Sequence, residues 1–167
     1  QHWPRRSSCT NNQPGPLSGG RSFSRRSLLL SLAPLPLLRA CSSPAEAAVF
    51  HDVGCGCCLK WVEKFRSEMP FGLSIIERET RDDLHAQFGI MPQLASCHTA
   101  VIDGFAFEGH VPPADIRRFL ATRPAGYVGL AVPGMPMGSP GMEQGEEREH
   151  FDVIAFGSKQ MSVFATY

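Results

Sequence analysis

The sequence predicts a small mixed α/β domain over residues 48–167. Three observations predict it. Runs of β-branched and aromatic residues alternate with amphipathic runs from Val49 to Phe88, the order that builds a sheet with helices packed on it. Asp103-Gly104 stands between two apolar runs, and both residues tolerate the positive φ that a two-residue hairpin turn demands. Two last apolar runs flank Gly157-Ser158-Lys159-Gln160 and read as a second hairpin.

Val49 to Val53 is the first strand, since Val and Phe favour extended backbone. Gly54-Cys55-Gly56 turns the chain. From Cys57 onward Leu59, Val62 and Phe65 share one helical face with Trp61 beside them, while Lys60, Glu63, Lys64 and Arg66 take the other. Met69-Pro70 ends this helix. Gly72 to Glu77 is a second strand. Thr80 is read as the cap of a short helix through Phe88, with Asp82 and Asp83 in its first turn and Gly89 as its stop. Thr99–Ile102 and Phe105–Glu108 form the first hairpin. Pro112-Pro113-Ala114-Asp115 opens a third helix through Ala121, with Ile116, Phe119 and Leu120 inward. Residues 125–150 are rich in Gly, Pro and Met and read as one long ordered loop or lid. Phe151–Phe156 and Met161–Ala165 finish as a hairpin. This order, with a cysteine cluster between the first strand and first helix and a Pro ahead of a hairpin, suggests a thioredoxin-like domain.

Charge divides the chain. Residues 1–47 carry six Arg and one acid, for +5, whereas residues 48–167 carry 10 basic and 15 acidic residues, for −5. A mildly acidic domain offers no basic patch for nucleic acid. The basic segment reads as an export leader of twin-arginine type. It has Ser24-Arg25-Arg26-Ser27-Leu28, an apolar run from Leu28 to Leu38, and Ala45-Glu46-Ala47 ahead of a cleavage point before Ala48. The apolar run is far short of the ~20 residues that span a bilayer, so no transmembrane segment is expected. Leu38-Arg39-Ala40-Cys41 offers a lesser alternative, a lipoprotein box acylating Cys41, which Arg39 fits poorly. A periplasmic address is expected, where unprotected thiols tend to pair.

The chemistry concentrates in Cys55-Gly56-Cys57-Cys58 and Cys97-His98. Neighbouring Cys57 and Cys58 cannot readily bond to each other, and a Cys55–Cys57 bridge closes a strained ring. Clustered sulfurs of this kind suit a shared metal. Cys57 and Cys58 lie at a helix start, whose unpaired N–H groups and dipole stabilise thiolate. Soft thiolates select Cu(I), Zn(II) or iron–sulfur. Zinc sites space their ligands more widely, so zinc is the alternative and several bridged Cu(I) ions the first expectation. Met135, Met137 and Met142 add thioether candidates, against the plainer role of filling gaps under a loop. His51 and His110 are first read as structural or exposed, with His110 retained as a secondary metal candidate. His85 and His150 are read as surface residues, and Glu143, Glu146, Glu147 and Glu149 as a solvated acidic stretch. No serine triad and no phosphate-binding glycine loop is present in the sequence. Two competing readings stay open: a thiol–disulfide oxidoreductase using Cys55 and Cys58, and a zinc- or disulfide-stapled binding module.

Four stretches together resemble one family. They are Cys55-Gly56-Cys57-Cys58-x-Lys60-Trp61, Ser96-Cys97-His98-Thr99-Ala100, Glu108-Gly109-His110-Val111-Pro112, and Gly129 to Pro136 continuing through Gly141-Met142-Glu143. The family is that of the CopG-like periplasmic proteins linked to copper resistance, long classed as a domain of unknown function. Met91 stands where that family usually has a Pro. The resemblance implies a thioredoxin-like fold, copper bound by Cys55, Cys57, Cys58 and Cys97 with His98 beside them, and a role in copper handling alongside other periplasmic proteins. It also implies interconversion of Cu(I) and Cu(II), and leaves enzymatic turnover open.

Overall fold

The computed structural model describes residues 47–69 and 72–167. The expected leader, with its twin-arginine motif and the Cys41 box, lies outside the described residues apart from Ala47, which opens the first strand. The elements are β1 (Ala47–Asp52), α1 (Gly56–Glu68), β2 (Ser74–Arg78), α2 (Asp82–Phe88), β3 (His98–Ile102), β4 (Phe105–Glu108), α3 (Pro113–Thr122), β5 (Gly129–Ala131), β6 (Asp152–Phe156) and β7 (Met161–Thr166). A 3-10 turn, Pro92–Leu94, sits between α2 and β3. No helix among the described residues is long and apolar enough to cross a membrane.

The strands form one mixed seven-stranded sheet in the order β2-β1-β3-β4-β5-β6-β7. The β1/β2 and β4/β5 pairs are parallel, and the other neighbours antiparallel. Side chains alternate between the two faces because a strand has a period of two. Val49, Ala100, Ile102, Phe107, Leu130, Val153 and Ala155 point to the face covered by α1 and α3. Ala48, Phe50 and Val101 face α2 through Leu84. Ala106, Ala131 and Phe156 pack with Ile90 and Leu94 of the preceding turn. With cover on both faces, all five residues of β3 are buried.

Three sequence expectations change. Residues 125–150 are not a single loop, because β5 completes the sheet between β4 and β6. Three residues cannot show periodicity. They are held by pairing on both sides, so close that a Cβ on Gly129 would stand 1.7 Å from Ala106 O. Leu59 does not face the core and is 45% exposed. Helix α1 starts at Gly56, so its buried stripe is Cys58, Trp61, Val62 and Phe65, spaced i, i+3, i+4, i+7. Thr80 does not cap α2. Arg81 occupies that position without a side-chain cap bond, and its guanidinium is engaged elsewhere. The Asp103-Gly104 turn does have positive φ at both residues, 49° and 81°, and Gly89 closes α2 in the left-handed conformation.

Candidate metal centre

The site lies where the β1–α1 junction meets the start of β3. Cys55 is the N-cap of α1, its sulfur accepting from Cys58 N at 3.3 Å. This places the next two cysteines in the first turn. Strand β3 runs antiparallel to β1, with His51 opposite His98. Cys97, one residue ahead of His98, therefore arrives beside the helix start, and Asp52 N donates to Cys97 O across the junction at 3.2 Å. The β1/β3 pairing brings the two motifs together across 39 residues of sequence.

The sulfur atoms of Cys55, Cys57, Cys58 and Cys97 all lie within 4.8 Å of one another. Cys55 and Cys58 form a disulfide, whereas Cys57 and Cys97 are free thiols. Cys57 Sγ stands 3.4 Å from Cys55 Sγ and 4.0 Å from Met135 Sδ. Cys58 is fully buried, and its sulfur lies 3.5 Å from Cys97 O. The site shown is thus the oxidised form, with two of its four sulfurs unavailable as thiolates until reduction.

Cys97 also belongs to a second group with His98 and His110, again within 4.8 Å. His110 Nε2 is 3.1 Å and His98 Nδ1 3.5 Å from the Cys97 sulfur. His110 Nδ1 donates to Pro140 O at 2.8 Å, which fixes the tautomer and turns the Nε2 lone pair toward Cys97. Burial pulls the pKa of both imidazoles down, and for His98 the neighbouring His110 and Arg81 add to this. Neutral rings keep lone pairs for a metal. Burial, with Cys57 next to it, pushes the Cys97 thiol up to about 12. It is therefore protonated at neutral pH, and a metal arriving there displaces a proton. His98 packs between Trp61, 4.7 Å away, and the edge of His110 at 5.1 Å. Its Nε2 is buried without a hydrogen-bond partner among the described residues.

Of the three loop methionines, Met135 brings its thioether to the cluster while remaining half exposed. Met137 and Met142 are half-buried and held through their backbones, Met137 by Glu149 and Met142 by Gly138 and Ser139. The loop is strapped to α1 at Gly141. Its φ is +87°, and a Cβ there would lie 2.7 Å from Trp61 N and 2.9 Å from Cys57 O. Gly141→Ala is expected to destabilise the chain by about 2–3 kcal/mol. It is also expected to free the Pro140 carbonyl from His110, so the His110 Nδ1–H resonance shifts in parallel with the fall in denaturant midpoint.

The acidic stretch is not wholly solvated. Glu143 accepts from Gly141 N and pairs with Lys64, and Glu149 accepts from Met137 N. His85 is half-buried, 3.4 Å from Glu108, not a surface residue. His51 is buried on β1, as a structural role requires. Sequence reasoning missed Arg81 and Glu108, which lie buried behind Ser96-Cys97. The signal for Glu108 was available: an acid directly following the apolar Phe105-Ala106-Phe107 strand, where burial demands a partner.

Residues 94–142 match the family described as a protein of unknown function, DUF411. Two solved structures match the fold and the sequence together. "Copper resistance protein copG, Form 2" is 38% identical with a TM-score of 0.68, covering 75% of this chain and 99% of that chain. "Copper resistance protein copG, Form 1" is 39% identical with a TM-score of 0.65, covering 75% and 98% respectively. No curated protein matches. Identity at this level over nearly the whole length of both solved structures assigns the chain to the CopG copper-resistance family.

Proposed function

We propose that the chain is a periplasmic copper-handling protein whose cargo is Cu(I), held by Cys55, Cys57, Cys58 and Cys97 with His98 and His110 as nitrogen donors on the Cys97 side. One observation carries this: four sulfurs converge within 4.8 Å, and one of them also stands within 4.8 Å of two imidazole nitrogens. Thiolates favour Cu(I) and imidazole accepts Cu(II), so a combined donor set suits a site that handles both oxidation states. Met135 supplies a soft donor at the open edge, and Met137 and Met142 are further thioether candidates on the same loop. The frame is read as thioredoxin-like, supported by the order β2-β1-β3-β4 and by the cluster's place after β1. The Ser24-Arg25-Arg26-Ser27-Leu28 motif and the apolar run from Leu28 to Leu38, read as a twin-arginine leader, support the periplasmic address, where the chain would exchange copper with other exported copper-handling proteins. Zinc remains the competing cargo that a titration must exclude.

The Cys55–Cys58 disulfide specifically favours a second reading, a thiol–disulfide oxidoreductase. Its Cys-x-x-Cys pair would accept two electrons and two protons from a dithiol, leaving Cys55 and Cys58 as thiols and the dithiol as a disulfide. Redox dependence separates the two. The reduced chain is expected to take Cu(I) from a chromophoric chelator without oxygen, and the oxidised chain to bind roughly 10-fold or more weakly, because two ligands are withheld. Reduced protein that leaves all Cu(I) with the chelator would sink the copper proposal. Insulin reduction persisting in the metal-free chain under a copper chelator would favour the oxidoreductase.

A further inference from the structure

Asp52, Arg81, Ser96 and Glu108 come from four separate segments and meet directly behind the cluster. We propose that Arg81 is the positioning residue of this site. Its guanidinium is a buried cross-tie that sets the separation between the Cys55–Cys58 wall and the Cys97 wall.

The Arg81 side chain is 6% exposed. A guanidinium has five N–H groups in a fixed planar fork, and five hydrogen bonds use them. Nε donates to Asp52 Oδ1 at 3.1 Å, and Nη2 to Asp52 Oδ2 at 3.4 Å. Nη2 also donates to Ser96 O. Nη1 donates to Thr99 Oγ1 at 3.0 Å and to Glu108 Oε1 at 3.1 Å. Glu108, fully buried, accepts from Ser96 N at 2.8 Å and from Thr99 Oγ1 at 2.6 Å. Both backbone groups of Ser96 are therefore bound by this ion pair, immediately before Cys97. On the other side, Asp52 O accepts from Cys55 N at 3.1 Å, at the first residue of the cysteine motif.

One guanidinium thus bonds to the residues that lead into both walls, Asp52 and Ser96, and is anchored behind them by Thr99 and Glu108. A buried ion pair seldom adds net stability over a well-packed apolar replacement, so stability alone does not account for it. What a planar five-donor fork does supply is fixed geometry between the groups it bridges. Lysine retains the charge but has neither the fork nor the reach to Asp52 and Ser96 together. The tie itself holds without metal; its consequence for cargo rests on the copper proposal.

The test uses Arg81→Lys, Arg81→Gln and Asp52→Asn, with two readouts. The first is residue-resolved amide exchange of the metal-free chain. The amide at position 52, which bonds across the junction to Cys97 O, and that of Ser96 are expected to exchange roughly 10-fold faster or more in each variant, while the amides of β6 keep their protection. The second is Cu(I) affinity of the reduced chain, expected to fall roughly 10- to 100-fold in the Arg81 variants, with Arg81→Lys giving no rescue. Asp52 is about half exposed, so Asp52→Asn decides the matter should an Arg81 variant fail to fold. Unchanged exchange at positions 52 and 96 in folded variants overturns the proposal. Uniform acceleration across the sheet also overturns it, since that marks a general loss of stability. A parent chain that binds no Cu(I) overturns the copper proposal alone, and the exchange result still decides the tie.

Discussion

Cys97→Ser is expected to lower the Cu(I) affinity of the reduced chain by roughly 100-fold or more, since changes to outer-shell partners alone cost about 10–100-fold. Cys97 is the residue shared by both donor groups. Removing its sulfur takes a bridge from the thiolate cluster and also strands His98 and His110 beside a hard hydroxyl that Cu(I) does not favour. Serine is close in size, and the walls are still held by Asp52 N and the Arg81 network, so the fold should persist by near-ultraviolet circular dichroism. Competition with a Cu(I) chelator measures the effect. An affinity within a factor of about two of the parent would place the metal away from Cys97.

The second large effect is on stability. Trp61→Ala is expected to cost about 3–5 kcal/mol, as for other fully buried large aromatics. Trp61 is 0% exposed, stacks on Phe65 at 5.1 Å and lies 4.7 Å from His98. Its Nε1 donates to Val111 O at 2.9 Å. Alanine leaves a cavity under α1 and an unpaired buried carbonyl. Trp61→Phe keeps most of the ring and loses the hydrogen bond, at about 1–3 kcal/mol. Denaturant midpoints with an unchanged m-value give both numbers. A cost below about 1 kcal/mol for Trp61→Ala would mean that α1 is anchored elsewhere. Because Trp61 also packs against His98, the alanine variant should lose Cu(I) affinity as well, more than Trp61→Phe does.

Much of the fold was legible because local signals agreed. Asp103-Gly104 dictated its hairpin, Gly89 its helix end, and Met69-Pro70 the limit of α1. The parts that were not legible depend on long-range pairing. Strand β5 is too short to show a period and exists because β4 and β6 hold it on both edges. Leu59 shares a face with Val62 and Phe65 by spacing alone, but it lies about 100° round the helix from Cys58, and the buried stripe centres on Cys58, Trp61, Val62 and Phe65.

The site shows the same division. Cys55, Cys57, Cys58 and Cys97 were visible as soft donors at suggestive spacing with His98 beside them, and the structure gathers the four sulfurs, with His98 in a second group joined to them through Cys97. His110 carried a weaker signal. Its place depends on the β3–β4 hairpin folding back and on Pro140 reaching it from a loop 30 residues away. Met137 and Met142 resemble Met135 in sequence, yet it is Met135 that extends to Cys57. Arg81 gave no local signal, since a charged residue ahead of an acidic helix start reads as surface. Its burial follows from four partners that meet only in the folded chain.

Copper K-edge X-ray absorption on the reduced, Cu(I)-loaded chain tests the central claim most directly. The expected first shell is dominated by sulfur, with copper–copper scattering where several ions share bridging thiolates, and it weakens in Cys57→Ser and Cys97→Ser. A shell of nitrogen and oxygen alone, or a sulfur shell untouched by both substitutions, would contradict the assignment of copper to this cluster.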